Sequence, residues 1–390
     1  MEQGAMRIAV NAFFLGRPMT GSAEHLLGLL EGLDRIEGAD EFLLLCPSLG
    51  NGDESRAPRL GSRFQTRKIE GASARLGIRI GKIWWEQVAL RQACAGSGID
   101  LLHSPYFASP LYPNVPTVVT IHDVIPLILP AYSRPLHVRV YTRMVSAAAR
   151  RARAIITVSE AAKADIVRTI GIPSERVHVA HNAAAASLRP VTDRAAVEGM
   201  KSRFRISGEY LLYFGGFDVR KNIERLIRAF HAARSSFERP YRLVLAGSLS
   251  LVGHPLYPDP RLLVEKLGLG NDVVVTGRVS DEEKPLLYSA ATAFVFPSLY
   301  EGFGIPVLEA MSCGAPVITS SVSSLPEVAG DAALLVNPTS VEAMAEAMVK
   351  LLNDTGLRDE MRQRGFHRAA EFNWDRSAAR TLDVYRQVVS

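Results

Sequence analysis

YLLYFGGFDVRKNIERLIRAF, from Tyr210 to Phe230, reads as a strand ending in two glycines, a charged loop, and a helix that opens after Arg220-Lys221-Asn222. It begins a series. YRLVLAG, DVVVTGR, AFVFPS, PVITS and ALLVNP follow, each a short β-rich run set among helical patterns. An earlier series precedes it, with RIAVNAF, EFLLLCP, DLLHSP, PTVVTIHD and AIITVS as strands and a helix from about Leu136 to Arg153. Such alternation is the pattern of a parallel sheet wrapped by helices. Between the two series lies AAAASLRPVTDRAAVEG, small and polar with one proline. The expectation is an α/β chain of two Rossmann-like domains facing across a cleft, residues 1–187 and 188–372, followed by a terminal segment, 373–390. The length of 390 residues agrees, because single cores tend to split beyond about 250–300 residues.

Composition narrows the function classes. Hydrophobic residues make up 47% and charged residues 22%, the balance of a globular chain without disordered or fibrous tracts. No window approaches the roughly 20 uninterrupted apolar residues of a membrane span. MEQGAMRIAVNAFFLG lacks the charged start and long apolar region of a signal peptide, so a cytoplasmic protein is expected. Cys46, Cys94 and Cys313 lie far apart without metal-ligand spacing, which points away from a disulfide framework and from zinc. The net charge of +5 suits an anionic small molecule or an anionic membrane surface, and is too weak to argue for nucleic acid.

In parallel sheets ligands bind beyond the carboxyl ends of the strands. The loops there are NAFFLGRPMTGS, TIHDVIP, FGGFDVRKN, TGRVSDEE and PSLYEGFG. The last continues as YEGFGIPVLEAM, where Pro306 suits the first turn of a helix and the glycines let backbone approach a ligand closely. Glu301 sits in the loop and Glu309 near the helix start, whose amides favour an anion such as a diphosphate. An isolated pair of glutamates at this spacing is more often a solvated loop residue and a helix-dipole partner. Here Gly302, Gly304, Pro306, Glu309-Ala310, Gly314 and Pro316 form a longer ordered pattern. Arg220 and Lys221 are cations of a kind that is usually solvated, and as a pair they suit a diphosphate. His122-Asp123 ends a strand of the first series, where a lone histidine is more often packed or solvated than catalytic. LGRPMTGSAEHLL brings Gly16 and Gly21 before a helix, with no G-x-G-x-x-G fingerprint.

Over essentially the full length these motifs resemble the family 4 glycosyltransferases, retaining enzymes of the two-domain GT-B fold that use nucleotide-sugars. The resemblance implies an N-terminal acceptor-binding domain, a C-terminal nucleotide-sugar domain, and a last helix, 373–390, crossing back to the first domain. It implies that Glu301 contacts the donor sugar, that Glu309 holds the ribose hydroxyls, and that the backbone of Gly302, Phe303, Gly304 and Ile305 meets sugar and phosphate. Arg220 and Lys221 become the clamp on the leaving group. Many members carry an arginine directly after the strand glycine, where this chain has Gly216 or Phe217, and this departure puts more weight on Arg220. His122 lies beside the donor sugar, and Gly277-Arg278-Val279 hold the base through backbone. Members often read Thr-Gly-Ile-Gly-Arg-Tyr in the first loop; Thr20-Gly21-Ser22-Ala23-Glu24-His25 keeps Gly21 and lacks the second glycine.

The chain contains no Asp-x-Asp, so the usual carboxylates that hold a divalent ion under a nucleotide-sugar are missing. Neither a metal nor a cofactor is expected, and protein cations are left to meet the leaving-group charge. SPYF, TIHDVIP, WEQ and RKN look like bacterial mannosyltransferases of surface-polysaccharide assembly. That likeness favours GDP-mannose as donor and a lipid-linked or other saccharide as acceptor. UDP-glucose, UDP-N-acetylglucosamine and dTDP-rhamnose stay open, as do a glycosidase, an epimerase and a two-lobed binding protein without catalysis. Arg75, Arg79 and Lys82 with Trp84 and Trp85 form one basic segment, and Arg139, Arg143, Arg150, Arg151 and Arg153 another. A contact with the inner face of the plasma membrane competes there with solvated arginines and core-packed tryptophans.

Overall fold

The structure is a computed structural model that describes residues 4–16, 20–48, 58–70, 80–249 and 253–390. It divides into two units, Met1–Asn182 with Asn373–Ser390, and Ala183–Phe372.

The strands of the first unit are β1 (Arg7–Asn11), β2 (Glu41–Pro47), β3 (Phe64–Ile69), β4 (Leu101–Ser104), β5 (Thr117–Ile121), β6 (Ala154–Thr157) and β7 (Val177–Val179). They form one sheet in the order β3-β2-β1-β4-β5-β6-β7, with every pairing parallel. The second unit holds β8 (Glu209–Phe214), β9 (Tyr241–Ala246), β10 (Val273–Gly277), β11 (Ala293–Phe296), β12 (Val317–Ser320) and β13 (Ala333–Val336). Their order is β10-β9-β8-β11-β12-β13, again all parallel. Central strands such as LLHS, TVVTI, AFVF and VITS are buried along their whole length. Helices covering both faces of a parallel sheet require such continuous apolar runs. In each sheet the order reverses beside the first strand, between β1 and β4 and between β8 and β11, which are the switch points where such sheets bind ligands.

The helix Gly21–Arg35 follows β1 and is capped by Thr20, whose Oγ1 accepts from the Ala23 amide at 3.3 Å. Its glycines Gly28 and Gly32 serve packing. A Cβ at Gly28 would fall 2.0 Å from the Trp374 ring, and one at Gly32 would fall 2.4 Å from the Trp374 carbonyl oxygen. The terminal helix Trp374–Val389 therefore lies directly against this groove, its start fixed by Asn373 accepting from the Arg376 amide at 2.8 Å. The helix expected over Leu136–Arg153 runs Leu136–Arg151. It stops because Arg153 gives its amide to the Thr117 carbonyl at 2.8 Å and so enters the sheet.

Of the two readings weighed for the first basic segment, core packing is the one its tryptophans follow. Residues 80–94 are helical, with a π-turn over Trp85–Ala89, but Lys82 and Trp85 do not present themselves to a lipid surface. Lys82 turns inward to the fully buried Glu86 at 3.3 Å and to the Tyr141 hydroxyl at 2.9 Å. Trp85 is buried and donates its indole N–H to Asn11 Oδ1 at 2.9 Å, while Trp84 packs partly buried against the same core. A buried carboxylate and asparagine offered these side chains better partners than a headgroup layer does. Arg75 and Arg79 lie outside the described residues, whereas Arg139, Arg143, Arg150, Arg151 and Arg153 are exposed. Among the described residues no helix is long and apolar enough to cross a membrane.

Candidate active site

In the second unit the loops after β8 and β11, the two strands at the switch point, are tied to each other. After β8 the chain makes a single 3-10 turn, Val219–Lys221, and Asn222 takes a left-handed φ of 64°. The Asn222 amide group donates to the Pro297 carbonyl at 3.0 Å and to the Pro338 carbonyl at 2.7 Å, so one side chain joins the loops after β8, β11 and β13. The Leu299 amide in turn donates to the Arg220 carbonyl at 2.7 Å.

This bracing sets Glu301 between two cations. Arg220 Nη1 lies 2.7 Å from Glu301 Oε2, and Lys221 Nζ lies 2.6 Å from Glu301 Oε1. Arg220 also meets the Tyr300 carbonyl at 3.1 Å and Asp218 at 3.2 Å, and Lys221 sits 4.8 Å from the centre of the Phe296 ring. Glu301 is 9% exposed, so it is no solvated loop residue. Burial pushes its carboxyl up, but Lys221 and then Arg220 outweigh that push and hold it at about 2. The same burial draws the Lys221 ammonium down, against the pull of Glu301. One carboxylate facing two mutually repelling cations keeps its charge more firmly than either cation's share of it.

The backbone of the loop is held by the serine run after β12. The Glu301 amide donates to Ser323 Oγ at 3.1 Å, and the Ser324 hydroxyl reaches the carbonyls of Glu301 at 3.0 Å and Phe303 at 2.6 Å. Gly302 and Phe303 turn the chain into the helix Ile305–Ser312, with Phe303 buried against Phe372 at 5.8 Å between ring centres. Gly304 caps that helix at a φ of 116°, where a Cβ would fall 2.7 Å from Leu325. Only glycine accepts both conditions.

Glu309 does not join this cluster. It is the fifth residue of the helix Ile305–Ser312, buried, and its carboxylate belongs to a second polar group. Lys284 forms an ion pair with Oε1, and the Tyr288 hydroxyl donates to Oε2 at 2.9 Å. The two glutamates of the motif thus hold separate partners, two cations for Glu301 and one lysine with a tyrosine hydroxyl for Glu309. Gly216 follows β8, its carbonyl accepting from the Tyr213 hydroxyl. Gly277 ends β10 at a φ of 72° and receives the Gly247 amide at 3.1 Å, followed by exposed Arg278 and half-buried Val279.

The remaining expected residues lie in the first unit. His122 follows β5, and its Nε2 donates to the Pro105 carbonyl at 3.1 Å. Its ring meets that of His25 edge to face, 4.6 Å between centres. His25 is held by Asn182 Oδ1 at 2.8 Å, and His103 by Thr120 at 2.8 Å and the Tyr385 hydroxyl at 2.6 Å. Burial lowers all three imidazoles, His25 and His103 to about 3 and His122 to about 4, so the group is neutral at pH 7. Asp123 accepts from the Ile125 amide at 3.0 Å within its own loop. Gly21 is the first residue of its helix, with open space where a Cβ would stand.

Sequence reasoning passed over Lys284, Tyr288, Asn222, Ser323, Ser324 and His25. Signals existed for two of them. Lys284 and Tyr288 are four apart just after S-D-E-E, and Ser280 and Glu283 exchange the reciprocal bonds of a capping box.

The family described as Glycosyltransferase Family 4 matches residues 19–187, and Glycosyl transferases group 1 matches residues 200–368. The chain is 32% identical over 287 residues to the O-antigen chain mannosyltransferase B of Escherichia coli, covering 73% of this chain and 74% of that protein. It is 32% identical over 277 residues to the serotype-specific mannosyltransferase WbdA of Escherichia coli, of which it spans only 34%. Sucrose-phosphate synthase from Thermosynechococcus elongatus shares the fold at a TM-score of 0.76, with 23% identity and 98% of each chain covered. With two parallel-sheet α/β units and both family matches end to end, the chain belongs to the family 4 glycosyltransferases of the GT-B fold.

Proposed function

We propose that the chain is a retaining, metal-independent hexosyltransferase that moves mannose from GDP-mannose to a lipid-linked or other saccharide acceptor in cell-surface polysaccharide synthesis. Ala183–Phe372 would be the nucleotide-sugar unit and the first unit the acceptor unit. The observation that carries the reading is the buried Glu301 between Arg220 and Lys221 at the β8/β11 switch point. The mannosyl donor is supported by the names of the relatives, O-antigen chain mannosyltransferase B and WbdA.

In this mechanism Glu301 accepts from hydroxyls of the donor sugar. Glu309 accepts from the ribose, and the backbone of Gly302 to Ile305 lies along sugar and phosphate. Gly216 and Gly277 to Val279 approach the nucleotide through backbone, with Gly21 contributing from the first unit. Charge that builds on the departing diphosphate is met by Arg220 and Lys221, fixed in advance by their loops. His122, neutral at pH 7, donates or accepts hydrogen bonds beside the sugar without adding charge. The departing phosphate oxygen takes the proton of the acceptor hydroxyl on the face it leaves, which gives retention.

The test is transfer from radiolabelled GDP-mannose to membrane lipid extract or a mannosyl oligosaccharide, with and without EDTA, and NMR of the new linkage. An α-linked product that forms equally in EDTA is expected. Turnover only with UDP- or dTDP-sugars would replace the donor, and nucleotide-sugar binding without any product would favour the non-catalytic alternative.

Contact with the membrane is proposed through a different surface from Lys82 and Trp85. Leu136 is 70% exposed and Val140 57%, one turn apart, with exposed Arg139 and Arg143 on the same stretch of helix. Apolar side chains among arginines suit anionic lipid. Co-sedimentation with phosphatidylglycerol vesicles, lost in Leu136→Glu/Val140→Glu and absent with phosphatidylcholine alone, is the expected outcome.

A further inference from the structure

Glu309 is buried inside a helix of the second unit, and its carboxyl group is met from a neighbouring helix that carries no part of the recognised motif. The segment Ser280–Glu283 forms a capping box: the Ser280 amide donates to Glu283 at 3.0 Å, and the Glu283 amide to Ser280 Oγ at 3.3 Å. That closed turn, with the Lys284 amide on the Ser280 carbonyl at 3.1 Å, leads directly into the helix Lys284–Ser289. Lys284 and Tyr288 then stand four residues apart on one face. Lys284 takes Glu309 Oε1, and Tyr288 takes Oε2 at 2.9 Å. The Lys284 ammonium also lies 5.3 Å from the centre of the Phe214 ring, and Phe214 lies 5.6 Å from Tyr288. Phe214 is the last residue of β8, immediately before Gly215-Gly216 and the Arg220-Lys221 loop. Side-chain exposure is 4% for Glu309 and 14% for Lys284, so neither partner is a surface accident.

A carboxylate offers about four acceptor positions, two on each oxygen. Lys284 and Tyr288 occupy one on each oxygen of Glu309. Among the described residues nothing else bonds either oxygen, which leaves a second position on each, side by side on one carboxylate, and two adjacent acceptors match a pair of neighbouring hydroxyls. We infer that Lys284 is a positioning residue: with Tyr288 it orients Glu309 so that the carboxylate receives the cis-diol of a ribonucleoside diphosphate. Selection of ribose over 2′-deoxyribose then depends on a lysine that touches no part of the nucleotide sugar. The inference rests on the proposal that Glu309 meets ribose. It adds that the strength of that contact is set by the helix Lys284–Ser289.

Titration calorimetry on the full chain tests it, with GDP and 2′-deoxy-GDP as probes, and UDP and 2′-deoxy-UDP as a second pair. For the pair that the native protein binds, the ribonucleotide is expected to bind about 10- to 100-fold more tightly, the value of one hydrogen bond to a charged group. In Lys284→Met that preference should shrink to about threefold or less through weaker ribonucleotide binding, with 2′-deoxynucleotide binding changed by less than about threefold. Lys284→Arg should restore at least half of the logarithm of the native preference. Lys284→Gln carries the same test should Lys284→Met fail to fold, as judged by circular dichroism. A full native preference in the folded Met or Gln variant overturns the role of Lys284. Absence of any preference in the native protein overturns the Glu309–ribose reading itself, and is seen before a variant is made.

Discussion

The two units share one plan, a parallel sheet with its working loops at the carboxyl ends, yet the expected site residues and their neighbours are buried in opposite ways, the Lys82–Glu86 pair of the first unit lying outside that set. In the first, His25, His103 and His122 are packed together and neutral, each lowered chiefly by burial. In the second, Glu301 is buried as a charge between Arg220 and Lys221, and Glu309 is buried against Lys284 and the Tyr288 hydroxyl, each met from another loop or helix. Neutral packing needs no partner of opposite sign but fails when a proton arrives. Ion pairing tolerates acid further but fails when one partner is removed. The contrast fits a division in which one unit keeps its site free of net charge and the other prepares for an anionic ligand.

The largest effect is expected from breaking the second arrangement. Lys221→Met keeps the volume and leaves Glu301 buried with Arg220 alone. Removing one partner of a buried ion pair costs about 3–5 kcal/mol, and urea unfolding should show that loss in the transition of the second unit. Loss of a cation aimed at the leaving group should also lower kcat by about 10²–10³-fold. Full stability with full turnover would mean that Glu301 does not need its second cation.

Acid titration probes the first arrangement. The three histidines have folded values of about 3 to 4, below the ordinary 6.5, so the unfolded chain binds more protons. Their contribution to stability is complete above about pH 6.5 and is lost as pH falls toward 4. With three protons taken up, the slope approaches about 4 kcal/mol per pH unit. Glu301 behaves differently. Its carboxyl is lowered from 4.5 to about 2, so its contribution persists to about pH 4.5 and is lost only below it. Chemical denaturation from pH 7 to 4 should therefore weaken the first unit's transition before the second's. His103→Asn should make the first slope shallower by about a third. Equal slopes for both units would erase the contrast.

What the sequence disclosed follows from the range of each interaction. Strand runs such as YLLYFGG and AFVFPS are local patterns, and both sheets were legible from them. So were Glu301, Arg220 and Lys221, because a resemblance preserves motif order even where spacing alone allows a solvated loop. Asn222 was visible within RKN, but its bonds to Pro297 and Pro338 span 75 and 116 residues and have no local mark. Lys284 illustrates the opposite failure. Its capping box and its four-residue spacing to Tyr288 are local, yet nothing in them names Glu309, 25 residues on, as the shared target. The tryptophans of WEQ stayed open between core and membrane for a similar reason. An exposed basic helix and a buried one have the same composition; Lys82 and Glu86 are a local pair four residues apart, and it is the distant Asn11 and Tyr141 that decide between them.

The smallest effects separate two glycines of one helix that the sequence could not tell apart. At Gly28 an added methyl would meet the Trp374 ring at 2.0 Å, so Gly28→Ala must push the terminal helix aside, an overpacking cost of about 1–3 kcal/mol. At Gly21, the first helical residue, the same methyl meets open space. Gly21→Ala should thus change stability by no more than about 0.5 kcal/mol, as exposed substitutions usually do. It also isolates the ligand question. If the donor approaches the backbone at Gly21 as proposed, the methyl occupies space that the donor needs, and KM for the donor should rise while the unfolding midpoint stays put. If KM is unchanged too, the first loop has no close contact with the donor, and the part of the first unit in donor binding rests on His122 alone.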